Sequence, residues 1–459
     1  MKFTDLSKEK TIGKNIDLEA TRLKTNFLNK LNLSIFSVFF LVFTFRIFLD
    51  ILFKLYLEPV HGYSQFYTDI NSINYILSYV GLIFCFFTLR REPIQIDNTA
   101  WFFFFLVIYV PMSSFYAMTG ANSFWFIAVS SGWILCNLFL NSNLLNLSFS
   151  LPIFKQRTLK WGGILLAGTL VLILIYNLDI NFEMELTEVY ELRKMEPTKF
   201  FPLSDYIINT LSKVLLPIII LLSVNELFKR KKGFLFNFAV IFFSCIFIIV
   251  IYFSTGHKSM LFNIPFILGV YFILSFKDKF TSLSLSILLV LLFIALATYV
   301  TGHDLILSLI YRRTLMIPGQ LGFFYHDFFQ DNYIYMSNSI LKDFSHYQYA
   351  KEPAYEIAIY FFDRHDMASS NGLLSDGFRH FGYIGLLIWM FLFTLIMKVL
   401  NGFSEKFTFP VLGTMAILFA KTIMDGPLFT TLLTHGFIFM FIVFFFLKPQ
   451  KKPSIRRNS

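Results

Sequence analysis

Residues 32–56 read NLSIFSVFFLVFTFRIFLDILFKLY and carry charge only at Arg46, Asp50 and Lys54. A run of that length and character crosses a hydrocarbon core of ~30 Å as a helix, which satisfies its backbone polar groups within the segment and without water. Similar stretches of ~17 residues or longer recur along nearly the whole chain. The predicted spans are 32–56, 73–89, 100–118, 123–140, 161–179, 206–228, 234–253, 258–275, 283–301, 382–400, 408–425 and 428–447, about twelve in all. With 56% hydrophobic and 15% charged residues and a mean hydropathy of +0.64 over 459 residues, the composition is far from that of a soluble globular domain. The expected fold class is an all-α polytopic integral membrane protein, with the lipid bilayer as its first partner.

Residues 1–31 are polar and hold no short apolar core followed by a small-residue cleavage site, so the first span is expected to act as an uncleaved anchor. Orientation follows from Lys and Arg, because translocation disfavours cationic loops. With 1–31 inside, the inner segments hold about 25 cations, among them KRKK at 229–232 and the tail at 448–459, and the outer segments about ten. Both termini are therefore expected in the cytoplasm. Transmembrane helices one to nine occupy 32–301, with an outer loop at 180–205; a large outer loop fills 302–381; helices ten to twelve occupy 382–447. The formal charge of +10 then reflects sorting and calls for no nucleic acid. Cys85, Cys136 and Cys245 lie inside spans without metal-type spacing and read as packing residues.

Polar chemistry collects on the outer side. Loops beyond ~15 residues are uncommon unless functional, and 302–381 is rich in both charged and aromatic side chains, so it is expected to fold against the membrane domain. His61, His257, His303, His326, His346, His365 and His380 lie in outer segments and His435 in the outer half of helix twelve. Spans exclude polar residues, so loops gather histidine in any case; an outward-facing site would gather it too.

Charges within spans cost roughly 2.5 to 3.5 kcal/mol each on insertion scales. Arg46, Asp50 and Lys54 share one face of helix one. Lys213 lies in the outer third of helix six, Lys421 and Asp425 approach the outer end of helix eleven, and Lys258 opens helix eight. Snorkelling and internal pairing would account for several of these. A pocket for an anionic group, such as a diphosphate, would also bring cations from separate helices to one depth.

Two stretches sharpen that reading. In IYRRTLMIPGQLGFFYHDFF, 310–329, Arg312 and Arg313 point about 100° apart if helical, so one can grip a phosphate while the other meets a carboxylate or headgroup. Pro318 and Gly319 are expected to break any helix there. In SSNGLLSDGFRHFGYIGLLI, 369–388, Gly372 and Gly377 allow a tight re-entry, and Arg379 and His380 stand at the expected start of helix ten, where free N–H groups favour an anion. Interfacial anchoring is the competing account of both stretches. No HExxH, CxxC, GxSxG or DxD occurs, and STGHKSM at 254–260 lacks the spacing of a phosphate loop. No metal or cofactor is expected.

The succession STGHKSML, then YRRTLMIPGQLGFFYHDFF, then SSNGLLSDGFRHFGYIGLLI resembles the O-antigen polymerase (Wzy) family of bacterial inner membranes, in order and spacing over about 130 residues. That resemblance implies a multi-pass inner-membrane glycosyltransferase of GT-C type whose large loop is periplasmic. It would join oligosaccharide repeat units linked to undecaprenyl diphosphate, moving the growing chain onto the incoming repeat. It also suggests a chain-length regulator as partner. On this likeness Lys258 matches the first motif, Arg312 and Arg313 the second, and Asp376, Arg379 and His380 the helix-start motif. Arg46 and Lys421 join them as cations for the diphosphate. Asp376, His380, His326 and Asp327 all suit a general base by type and side, and Tyr311, Tyr325, Tyr333, Tyr347 and Tyr383 offer rings for sugar or interface. An O-antigen ligase would use a similar donor. A lipid-linked oligosaccharide flippase would perform no covalent chemistry.

Overall fold

The structure, a computed structural model, describes residues 35–89, 94–142, 147–149, 151, 153–177, 204–229, 233–255, 258–338 and 346–448. The outer loop expected at 180–205 falls almost wholly outside the described residues, as do His257, most of KRKK and the two terminal segments beyond 35 and 448. The described part is all-helical, about 80% helix and without strands.

In chain order the helices are α1 (Ile35–Ser64), α2 (Ser72–Phe87), α3 (Ile96–Thr119), α4 (Ser123–Asn141), α5 (Gln156–Asn177), α6 (Tyr206–Phe228), α7 (Phe234–Thr255), α8 (Lys258–Ile273) and α9 (Lys279–Thr301). Leu305–Leu307, Ser308–Met316 and Ile317–Phe329 then run end to end as α10. After it come α11 (Pro353–Phe362), α12 (Leu373–Asn401), α13 (Phe409–Asp425), α14 (Leu428–Leu433) and α15 (Phe437–Phe446). Seven of these, α1, α3, α4, α6, α7, α9 and α12, are long and apolar enough to cross a membrane. Three shorter apolar helices, Ser72–Phe87, Met260–Ile273 and Phe437–Phe446, accompany them. The expected last span is broken between α14 and α15 at Gly436, whose φ of +76° a side chain would strain.

The centre is α3. Its most apolar window is 94% buried, against 17% for α9, and it packs on α12 and α13. Trp101 stacks on Trp133 at 4.5 Å and meets Phe393 at 5.8 Å, so aromatic rings fill the middle of the bundle. The perimeter is the reverse: Phe36, Phe40, Phe234, Leu235, Phe293 and Val300 are exposed. Apolar surface on that scale matches a hydrocarbon surround rather than water.

Proline shapes these helices in a recurring way. Four wide π-type segments, Phe53–Leu57, Phe105–Tyr109, Leu211–Leu215 and Ser308–Met316, each immediately precede an α segment with proline in its first turn: Pro59, Pro111, Pro217 and Pro318. A proline supplies no N–H and its ring crowds the carbonyl four residues back, so the preceding turn opens instead of ending. This corrects the expectation that Pro318 and Gly319 interrupt the helix. Gly319 has a different use: a Cβ there would lie 2.9 Å from Met112 Cα, so its absence lets α10 approach α3 closely.

As expected, the described residues between α9 and α12 fold onto the bundle. Tyr311 donates to the Leu49 carbonyl at 2.7 Å, Gln320 to the Ser64 carbonyl at 2.7 Å, and α10 lies along α12.

Candidate functional site

The site lies at the end of the bundle that carries residues 304–338 and 346–381, and α12 organises it. Helix ten was expected to open at 382; α12 instead begins at Leu373, and the chain turns sharply at Phe381 (φ −141°, ψ 23°) and Gly382 (φ 62°, ψ −144°). Arg379 and His380 therefore close a first half-helix and do not stand at an N-terminus, so free N–H groups are not what serves them. Hydropathy misses this half-helix because protein, not lipid, surrounds it.

Asp376 is the hub. Its carboxylate, 2% exposed, accepts from Arg379 at 2.6 Å, Trp389 Nε1 at 2.8 Å and the backbone N–H of Leu428 at 3.1 Å, with His380 Nε2 at 3.5 Å. His380 Nδ1 accepts from the Met336 N–H at 3.1 Å, which leaves the ring proton on Nε2, facing Asp376. Both residues are enclosed, and the lone pairs of Asp376 are taken. The arrangement ties the half-helix to the rest of α12 and to α14. Arg379 Nε is buried without a hydrogen-bond partner.

Beside it, α10 and α12 share a second constellation. His326, 1% exposed, places Nδ1 2.8 Å from Asp327 Oδ1 and Nε2 2.8 Å from the Tyr383 hydroxyl. Trp125 and Phe378 flank the imidazole at ring-centre distances of 5.6 and 5.0 Å. The preceding residue, Tyr325, is enclosed and donates to the Ser369 carbonyl at 2.9 Å; burial pushes its phenol up to about 12. Tyr311 is likewise fully buried. Neither ring presents a face to a sugar, whereas Tyr383 is 40% exposed.

A third group gathers the cations. Lys421 on α13 donates to Asn263 Oδ1 at 3.1 Å. Lys213 on α6 lies within its electrostatic reach, and Asp425 feels both Lys421 and Arg313. Two elements, α10 and α13, thus bring a cation to this carboxylate, and α6 brings a third cation to Lys421. The Thr210 and Thr431 hydroxyls are buried without hydrogen-bond partners. Thr431 lies against Gly426, as does the ring of His435, while Thr210 lies against Gly436. Lys258 opens α8, but its side chain is outside the described residues.

Arg312 and Arg313 diverge, as their adjacency predicted. Arg312 donates to Ser308 Oγ at 3.1 Å and lies near Tyr56 and His61. Tyr56 donates to Asp304 at 3.0 Å and meets His61 Nε2 at 3.1 Å. Arg313 is exposed on the other side.

Arg46 is not brought to any of these groups. It is 0% exposed, paired with Asp50, and donates to Ser113 Oγ at 3.0 Å and Ser78 Oγ at 3.2 Å. Asp50 accepts from Tyr75 and Tyr79, each at 3.2 Å. The network joins α1, α2 and α3, with Lys54 exposed beyond it.

No family profile, curated protein or solved structure matches the chain. The residues that sequence reasoning did not single out are Asn263, Thr210, Thr431 and Trp389. Each is an ordinary residue in its own helix and becomes notable only through a partner on another.

Proposed function

We propose that the chain is a polymerase of the O-antigen polymerase kind, a membrane glycosyltransferase acting on oligosaccharide repeats carried by undecaprenyl diphosphate. In this reading about twelve helices cross a bacterial inner membrane in a GT-C-like arrangement, with both termini cytoplasmic and the end bearing 304–381 in the periplasm. The supporting observation is a chain of charges from three elements: Lys421 and Arg313 act on Asp425, and Lys213 lies within reach of Lys421. Cations grouped in this way bind a diphosphate and stabilise the charge that grows on it as the glycosidic bond breaks. Thr210 and Thr431 supply hydroxyls for its oxygens. Lys258, at the head of α8, is assigned to the same group on the sequence likeness. The growing chain leaves its lipid diphosphate for a hydroxyl of the incoming repeat, releasing undecaprenyl diphosphate.

A flippase needs a central path for sugars, and the stacked Trp101 and Trp133, with Phe393 tilted against Trp101, occupy the middle of the bundle. The separating experiment is a surface-polysaccharide gel from cells lacking the gene. A polymerase defect leaves core bearing a single repeat, restored to a ladder by the wild-type gene. Bare core with lipid-linked polymer accumulating outside would mark a ligase, and repeats stranded on the inner leaflet a flippase.

A further inference from the structure

Resting on that reading, we infer that Tyr383 is the group that takes the proton from the attacking sugar hydroxyl, with His326 and Asp327 as the positioning residues that make it basic. A carboxylate only accepts hydrogen bonds, so the 2.8 Å contact with Asp327 fixes the neutral His326 proton on Nδ1. Nε2 is then a lone pair, and the Tyr383 hydroxyl, 2.8 Å away, donates to it. His326 is enclosed by protein, which keeps water from competing for Nε2. The phenol oxygen at the outer end of this chain retains lone pairs for another donor.

Its surroundings suit a sugar. Tyr335 is 54% exposed and stands edge-on to Phe381 at 6.1 Å, and Tyr333 lies against Gly382, one residue before Tyr383. Aromatic faces of this kind bind the apolar faces of pyranose rings. Tyr335 and the next residue, Met336, both hold positive φ, 44° and 65°, a conformation that side chains adopt at a cost and that recurs at functional sites. Met336 is fixed there by its N–H bond to His380. The wall is thus built rather than incidental.

In the step, the acceptor hydroxyl passes its proton to Tyr383 Oη as the Tyr383 proton moves to His326 Nε2, and Asp327 faces the resulting imidazolium. The acceptor oxygen forms the new bond to the anomeric carbon, and the electrons of the broken bond leave with the diphosphate. The proton on His326 returns through Tyr383 to the departing diphosphate or to solvent. The sequence resembles His-assisted activation of a hydroxyl, with a phenol between base and substrate.

The test uses the full chain in proteoliposomes with lipid-linked repeats extracted from cells lacking the gene. Tyr383→Phe is expected to lower kcat about 10²- to 10⁴-fold, with undecaprenyl diphosphate affinity within about twofold of wild type. Asp327→Asn, an isostere at a part-exposed position, is expected to lower kcat about tenfold or more with KM unchanged. A wild-type kcat in Tyr383→Phe overturns the assignment. Should wild type itself form no polymer, the polymerase reading fails, and acylation of Tyr383 by N-acetylimidazole tests the relay alone. Slower acylation in Asp327→Asn and His326→Gln supports it; equal rates in all three proteins refute it.

Discussion

Gly377 and Gly385 meet backbone to backbone: a Cβ on Gly377 would lie 2.5 Å from the Gly385 carbonyl oxygen. In one continuous helix, eight residues would separate them by about 12 Å. The contact therefore requires the fold-back at Gly382, where φ is +62° and a Cβ would also strike Tyr333. Gly382→Ala and Gly377→Ala are each predicted to destabilise the protein by about 2 to 3 kcal/mol, from strain and overpacking. The thermal midpoint in detergent measures this; an unchanged midpoint in both variants would contradict the fold-back.

Asp376→Ala would leave Arg379 buried without its carboxylate. Removing one member of a buried pair costs about 3 to 5 kcal/mol. The variant is predicted to lose folded protein first, and activity only in proportion. A normally folded Asp376→Ala protein without activity would return Asp376 to the role of base.

Arg46→Ala is expected to behave in the same way, because Arg46 anchors Asp50, Ser78 and Ser113 across three helices. The loss should again be about 3 to 5 kcal/mol, read as protease sensitivity in membranes. Full stability with weakened donor binding would instead make Arg46 a substrate contact.

The phenol of Tyr325 is pushed up to about 12 by burial, whereas an unfolded tyrosine titrates near 10. Between those values the unfolded state has lost a proton that the folded state keeps, so stability falls as pH rises, by about 2 to 3 kcal/mol across the window. Tyr325→Phe should be less stable at neutral pH by about 1 kcal/mol for the lost bond to Ser369, and less sensitive to alkali than wild type. Parallel alkaline unfolding curves would show that Tyr325 contributes nothing there.

These residues also show what a linear reading reaches. Apolar runs announce helices because such runs have no other way to satisfy their backbone in lipid, and seven helices are long and apolar enough to cross a membrane, while the run at 428–447 is split at Gly436. The half-helix over 373–380 escapes a linear reading, since SDGFRH is polar by residue and buried only by its neighbours. Pro318 reads as a break because local chemistry does not reveal that a wide turn can absorb it. Arg46 and Asp50, four apart, were visible as a pair; Ser78, Ser113, Tyr75 and Tyr79, which decide whether that pair is closed, were not. His326 and Tyr383 are 57 positions apart, and only the packing of α10 on α12 joins them.

The most direct measurement is binding and turnover in proteoliposomes for Arg313→Ala and Lys421→Ala, beside Arg312→Ala as the comparison. If the cations around Asp425 hold the donor diphosphate, the first two each weaken undecaprenyl diphosphate binding about tenfold, ~1.4 kcal/mol, and shorten the polymer. Arg312→Ala, whose side chain is turned to Ser308 and the Tyr56 cluster, has the smaller effect. Wild-type affinity and chain length in both Arg313→Ala and Lys421→Ala, at equal protein level, would contradict the account.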